Sequence, residues 1–339
     1  MGVVNLQQRD HVLVVAEIGN NHEGSVELAT RLVELAAAAG VDAVKFQTCR
    51  PEYFVAPSNT ARLAQMRRFA LPREALRDLS ALARSLGLLF ISTPLDLPSV
   101  DLLEPLVDAF KIASGDNTFY PLLERVASSD KPLILSTGLL DLAGVRTSME
   151  YVRDRRPAAY RNEIAVLHCV CAYPAPIEQA NLRAIATMAA QLDCAVGYSD
   201  HTVGADAAPL AVALGATIIE KHFTADKHYS EFRDHALSAD PEEMREVVRR
   251  VRAATRMSGT GDKVPQPCEA EIAAQVRRSI VAAADLPEGH VLSWSDLMWV
   301  RPAGGLPPGG ESQLVGAALA RPMRLGDQLG PADVVRQLK

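Results

Sequence analysis

The sequence predicts an α/β protein: a (β/α)8 barrel followed by a small domain. Three observations carry that prediction. Short apolar, β-branched runs alternate with amphipathic helical patterns eight times without interruption. Each run turns polar only toward its carboxyl end, as in barrels whose chemistry sits on that rim. Past residue 258 a Gly/Pro-rich stretch breaks the pattern, and the grain changes to short strands and turns. An open doubly wound sheet is the alternative, and eight consecutive β/α units weigh against it.

The strands read, in order, VLVVAEIG (12–19), DAVKFQT (42–48), LLFISTP (88–94), AFKIAS (109–114), PLILST (132–137), IAVLHCV (164–170), AVGYSD (195–200) and TIIEKHF (217–223). The helix after the first begins at a Ser25 cap and ends at Gly40. The last long helix begins at Pro241. The sequence is therefore divided into a barrel domain (1–260), a linker (261–276) and a compact C-terminal module (277–339). About 60 residues make a small independent core, so the module is expected to lean on the barrel or on a partner subunit.

The net charge of -6 gives no reason to expect nucleic acid. No run approaches the ~20 apolar residues that span a bilayer, and no basic-then-apolar leader opens the chain. The expected location is cytoplasmic. Five cysteines without framework spacing agree with a reducing compartment. Cys169 and Cys171 share a strand face, and the bland reading, small buried apolar residues, is preferred over a metal role.

Chemistry gathers at the strand ends: Glu17, Lys45 with Gln47, Ser92 with Thr93, Lys111 with Ser114, Ser136, His168, Ser199 to His201, and Glu220 with His222. One charged strand end can be a packing accident, but eight together need partners or a ligand. Lys45 and Lys111 with the hydroxyls of Thr93, Ser114, Ser136 and Ser199 form an anion-binding set. If the last two strands are parallel neighbours, His201 and His222 converge. Two imidazoles with open positions suit a divalent cation that also takes water or substrate. Three carboxylates, Glu17, Glu220 and Asp234, stand by for proton handling. No Walker loop and no GxGxxG after a strand is present, so no nucleotide cofactor is indicated.

The motifs AEIGNNHEGS (16–25), VKFQT (44–48), FISTP (90–94), FKIASG (110–115), ILSTG (134–138), LHC with YPAP (167–169, 173–176), GYSDHT (197–202) and IIEKHFT (218–224) resemble the sialic acid synthase family. That family includes N-acetylneuraminate, legionaminate and pseudaminate synthases, and the C-terminal part resembles its antifreeze-like SAF domain. The resemblance implies condensation of phosphoenolpyruvate with an open-chain N-acylmannosamine-type sugar to a nine-carbon 2-keto acid. Phosphate would leave by C–O cleavage. It implies that Lys45, Thr93, Lys111, Ser114, Ser136 and Ser199 hold phosphoenolpyruvate, and that His201 and His222 bind Mn2+ or a similar ion (Mg2+, Co2+). Glu17, Gln47, Tyr173, Glu220 and Asp234 would hold the sugar and assist proton transfer. Arg301, from WVRPAGG, would reach into the barrel of the other subunit of a domain-swapped homodimer.

Three departures fall on the sugar side. Cys171 stands where family members often carry Asn or Ser, the 51–72 segment is short and lacks an aromatic–Glu pair, and SEFRDH replaces the usual PGPDH with Asp234 retained. The donor is therefore expected to be unchanged and the acceptor to be atypical. Rival readings are a Schiff-base aldolase using Lys45, Lys111 or Lys221, and a non-catalytic carbohydrate-binding homologue.

Overall fold

The computed structural model describes Leu6 and residues 10–335. The outermost residues of the regions assigned as 1–260 and 277–339 thus lie outside the described residues. The chain divides into two compact units, residues 1–260 and 261–339.

The first unit is a closed barrel of eight parallel strands in sequence order: β1 (Leu13–Gly19), β2 (Ala43–Thr48), β3 (Leu89–Pro94), β4 (Ala109–Ile112), β5 (Leu133–Ser136), β6 (Ile164–Cys169), β7 (Ala195–Asp200) and β8 (Ile218–His222). The seam closes where β1 pairs β8, with Glu17 opposite His222. Because side chains alternate along a strand, one set faces the lumen and the other the helices. The lumen set includes Val15, Ala43, Ile91, Ala109, Ile134, Ala165, Ala195 and Ile218, a buried apolar plug. At its amino-terminal end the Thr217 hydroxyl donates to Leu6 O at 3.2 Å. The outward set, including Val14, Ala16, Ile18, Val44, Phe46, Phe90 and Phe110, packs with the helices in a second core. Two residues further along six of the strands the lumen set turns polar, at Glu17, Lys45, Thr93, Lys111, Ser136 and Glu220, which places these residues directly above the plug.

The helix Val26–Ala39 shows how local sequence fixes this layer. The Ser25 hydroxyl accepts the Leu28 N–H, and Gly40, at φ +84°, ends the helix in the left-handed region. Leu28, Ala29, Leu32, Val33, Ala36 and Ala39 form its buried stripe. Burying Leu32 alone contributes roughly 1.5–3 kcal/mol, and truncating it to Ala would cost about 2–5 kcal/mol. Gly197 matters most for the site. A Cβ there would lie 2.6 Å from both Ile218 O and Leu167 Cδ2. Only glycine lets β7 close on β8 at that level, and the residues just beyond it are Ser199 and His201.

The second unit pairs β9 (Ser279–Ala282) with β10 (Leu297–Val300) antiparallel, around a core that includes Ile280, Leu292, Leu297, Leu314, Leu319 and Met323. The expected linker differs from the structure. Residues 261–276 belong to the second unit, and their last part is a helix, Ala270–Val276. A 3-10 turn, Pro267–Glu269, leads into it, with the Glu269 carboxylate accepting the Gln266 N–H at 2.6 Å, and Ala274 O accepts the Ala303 N–H at 2.9 Å. The Pro and Gly residues that suggested a linker precede an alanine-rich run of high helix propensity. Among the described residues, no helix is long and apolar enough to cross a membrane.

Candidate active site

At the carboxyl end of the barrel two buried lysines and two buried carboxylates face one another. Lys45 Nζ, from β2, lies 2.8 Å from Glu17 Oε2 on β1 and 3.6 Å from Glu220 Oε2 on β8. The Glu17 contact is off the angle of a hydrogen bond, so that oxygen is paired by charge but has no hydrogen-bond donor. Lys45 also reaches Thr93 Oγ1 at 3.4 Å. Lys111 Nζ, from β4, donates to Ser136 Oγ at 2.6 Å and to Ile112 O at 3.0 Å, and sits 3.8 Å from Glu220 Oε1. The Ser199 hydroxyl donates to Glu220 Oε1 at 2.9 Å. Ser114, just past β4, accepts the Gly138 N–H at 3.1 Å. Six of the predicted anion-site residues thus come from β2 through β7 and their loops.

The charges do not share protons evenly. Burial would push the Glu220 carboxyl up, but Lys111 and Lys45 outweigh it and hold it down at about 2. Burial raises Glu17, Lys45 only partly opposes this, and Glu220 pushes the same way as burial. Burial pulls Lys45 down, yet Glu17 and Glu220 more than restore it and leave it raised. Lys111 is lowered by burial, against the pull of Glu220 and with the help of Lys45. Two carboxylates whose environments drive their affinities apart mark an acid–base division of labour: Glu220 stays anionic, and Glu17 is the one able to hold a proton. Gln47 Nε2 donates to Glu17 Oε1 at 2.8 Å and fixes that carboxyl's orientation.

His201 and His222 flank this cluster, their ring centroids 5.5 Å apart. His201 Nδ1 bonds Val170 O at 2.8 Å, which places the proton on Nδ1 and leaves Nε2 as the lone-pair nitrogen. Buried His222 Nδ1 has no hydrogen-bond partner, and burial holds the ring neutral, with its pKa lowered to about 3. Burial likewise lowers His201. Neutral imidazoles, one with an orphaned buried nitrogen, fit a cation held by two protein nitrogens. Among the described residues no cluster of three or more His, Cys, Asp or Glu forms a metal cage, so further ligands would come from water or substrate.

Tyr173 stacks 4.3 Å from the His201 ring, and the Arg233 guanidinium lies 5.0 Å from the Tyr173 ring. Burial pushes the Tyr173 phenol up. Arg233 also pairs with buried Asp234 at 3.1 Å. Other rim residues turn away from the lumen. Ser92 bonds Thr48 on the outer face, and His168 reaches Ala180 O at 2.8 Å and stacks on Tyr198. Lys221 points outward too, tied to Asp200 Oδ2 and Thr202 O, each at 2.8 Å. Arg301 is exposed in the second unit.

The NeuB family model matches residues 32–263, and a SAF domain matches 277–335. The chain belongs to the NeuB family. It is 40% identical over 93% of its length, and 92% of the other chain's, to the N,N'-diacetyllegionaminic acid synthase of Legionella pneumophila. It is 31% identical to human N-acetylneuraminate-9-phosphate synthase, over 89% of this chain and 87% of that one. Among solved structures, the N-acetylneuraminic acid synthetase of Leptospira borgpetersenii superposes with a TM-score of 0.75 at 32% identity, covering 80% of this chain and 93% of that one.

Two features of this NeuB-family site escaped the sequence reading. Asn20 donates to Gln47 Oε1 at 3.0 Å, extending the Glu17–Gln47 chain by one link. Asn20 stands inside the quoted AEIGNNHEGS motif, but nothing in its spacing singles it out. Cys169 and Cys171 lie beside the anion-binding residues. Cys169 Sγ is 3.9 Å from His201 Nδ1, and the Cys171 sulfur crowds Gly138 together with the Ser114 hydroxyl. The Cys169 thiol donating to Cys171 helps lower the Cys171 thiol to about 6. The preferred reading of inert apolar packing misses this environment, which depends on the fold of the β5 and β6 loops.

Proposed function

We propose that this protein condenses phosphoenolpyruvate with an open-chain N-acylmannosamine-type sugar, forming a nine-carbon 2-keto acid and releasing phosphate by C–O cleavage. The observation that carries the reading is the lumen cluster itself: two buried lysines beside hydroxyl donors, with a protonatable Glu17 and an anionic Glu220 held against them. The relatives' products, sialic-type acids, give the reaction class.

Lys45 and Lys111 supply charge to the donor's phosphate and carboxylate, and Thr93, Ser114, Ser136 and Ser199 supply directed donors. A divalent ion, Mn2+ or Mg2+ or Co2+, would be held by His201 and His222 and would supply electrophilic polarisation of the acceptor carbonyl. Donor C3 forms the new bond to the sugar C1, whose carbonyl π pair moves onto oxygen and takes the proton held by Glu17, and positive charge develops at donor C2. Anionic Glu220 stabilises that charge across the lumen. Water adds to C2, and Glu17, oriented by Gln47, takes its proton. The C2–O bond to phosphate then breaks, the bridging oxygen leaves with phosphate, which takes the proton of the new C2 hydroxyl, and the keto group remains. Tyr173 and Asp234 line the acceptor side. Arg301 completes that side from a second copy of the chain, and the expected location is the cytoplasm.

The test is phosphoenolpyruvate labelled with 18O at the bridging position, incubated with a divalent ion and amino sugars. Label recovered in phosphate, with a product heavier than the sugar by the pyruvyl unit, supports the reading. Label retained in the organic product overturns it. One observation favours an imine alternative, the lowered Lys111 pKa. Borohydride trapping with pyruvate distinguishes the two.

A further inference from the structure

A cleft of 650 Å³ opens between the loops that follow β1, β2 and β8, lined by Glu23, Arg62, Arg68, Ser230, Glu231 and Arg233 among others. It touches the reaction centre through Arg233, which faces Tyr173 and pairs with Asp234. Glu23 is its keystone. This residue holds a left-handed φ of +46°, a conformation that costs a side-chain-bearing residue and persists only where the surroundings fix it. Its carboxylate collects donors from three segments: Arg68 Nη2 at 3.2 Å, His235 Nε2 at 3.3 Å, and the Ser230 hydroxyl in a short contact. Next to it, Gly24 presses so closely on Arg68 O that a Cβ would lie 1.9 Å away. The loops forming the cleft are therefore clamped through Glu23.

Two of the three arginines in the cleft are held by carboxylates. Arg68 is engaged by Glu23 and Arg233 by Asp234, while Arg62 meets the neutral Gln65 amide oxygen at 2.6 Å. Glu231 is exposed and has no ion-pair partner among the described residues. A phosphate that engages Arg68 would draw it from Glu23 and leave that carboxylate facing a dianion, a like-charge contact that disfavours binding. Hydroxyl and acylamino groups meet no such opposition and find both donors and acceptors.

We propose that this cleft receives the end of the acceptor remote from its carbonyl, and that Glu23 selects an uncharged polar end over a phosphorylated one. The inference rests on the condensation reading above and names the acceptor class for the same site. The experiment measures kcat/KM, and binding by calorimetry with phosphoenolpyruvate present, for an N-acylmannosamine and its terminal phosphate monoester. Wild type is expected to favour the neutral sugar by about tenfold or more, the equivalent of one like-charge contact. E23Q is expected to shift the ratio by about tenfold toward the phosphorylated sugar, and the milder E231Q by roughly threefold in the same direction. Because Glu231 is exposed, E231Q keeps the test alive if E23Q fails to fold. Wild-type preference for the phosphorylated sugar, or a ratio unmoved in both variants, overturns the proposal. Failure of every sugar to release phosphate overturns the condensation reading instead, and the binding ratio then still decides the cleft.

Discussion

Replacing Glu220 by Gln removes one negative charge from a site that buries two lysines. Glu220 lies 3.6 Å from Lys45 and 3.8 Å from Lys111. At those separations and an effective dielectric of about 20, each attraction is on the order of 4 kcal/mol. Lys45 keeps Glu17 at 2.8 Å, so Lys111, already lowered by burial, is left exposed to the loss. Removing one partner of a buried ionic cluster costs about 3–5 kcal/mol in stability. The variant also gains a pH signature. The folded pKa of Lys111 lies below its unfolded value, so between the two the unfolded chain binds more protons and stability rises with pH. Without Glu220 that rise begins at lower pH and is steeper across neutral to alkaline pH. Glu220 itself, held at about 2 in the folded chain, contributes stability above the ordinary carboxylate range that is lost as pH falls toward 2. The gap between wild type and E220Q therefore narrows in acid. Urea unfolding of both proteins from pH 2 to 10 checks this. A variant as stable as wild type, with a parallel pH profile, would refute the coupled cluster.

Three further outcomes follow from the same structure. Burial lowers buried His22 to about 4 from 6.5, so the folded chain should lose about 3 kcal/mol as pH falls from 6.5 to 4. H22Q should flatten that part of the unfolding profile. Gly138→Ala would set a Cβ 2.5 Å from Cys171 Sγ and 2.7 Å from Ser114 Oγ. It should cost about 1–3 kcal/mol and raise the KM for phosphoenolpyruvate more than that for the sugar, as steady-state kinetics would show. Lys221→Met strands Asp200 in a fully buried pair and should destabilise by about 3–5 kcal/mol, read by thermal unfolding. Any borohydride-trapped adduct that persists in K221M excludes Lys221 as its attachment point.

The barrel was legible because its signals are local. Period-two alternation put Glu220 and His222 on one face and Lys221 on the other, and the β1–β8 register then brought Glu17 opposite His222. Where the reading listed neighbouring residues without choosing a face, the pleat decided: Thr93 points in and Ser92 out, and His168 turns to the helices while Cys169 turns to the lumen. What stayed hidden depends on loops. Asn20 and Glu23 act through residues brought close by folding, Gln47 at one site and Arg68, Ser230 and His235 at the other. The helix Ala270–Val276 was obscured by the Pro and Gly residues that introduce it.

Phosphate release from phosphoenolpyruvate, followed with and without an N-acylated amino sugar, tests the central claim most directly. Phosphate should appear only with the sugar, matched mole for mole by a 2-keto acid whose mass is that of the sugar plus the pyruvyl unit. Phosphate released at the same rate without any sugar, or a sugar consumed without phosphate, would contradict it.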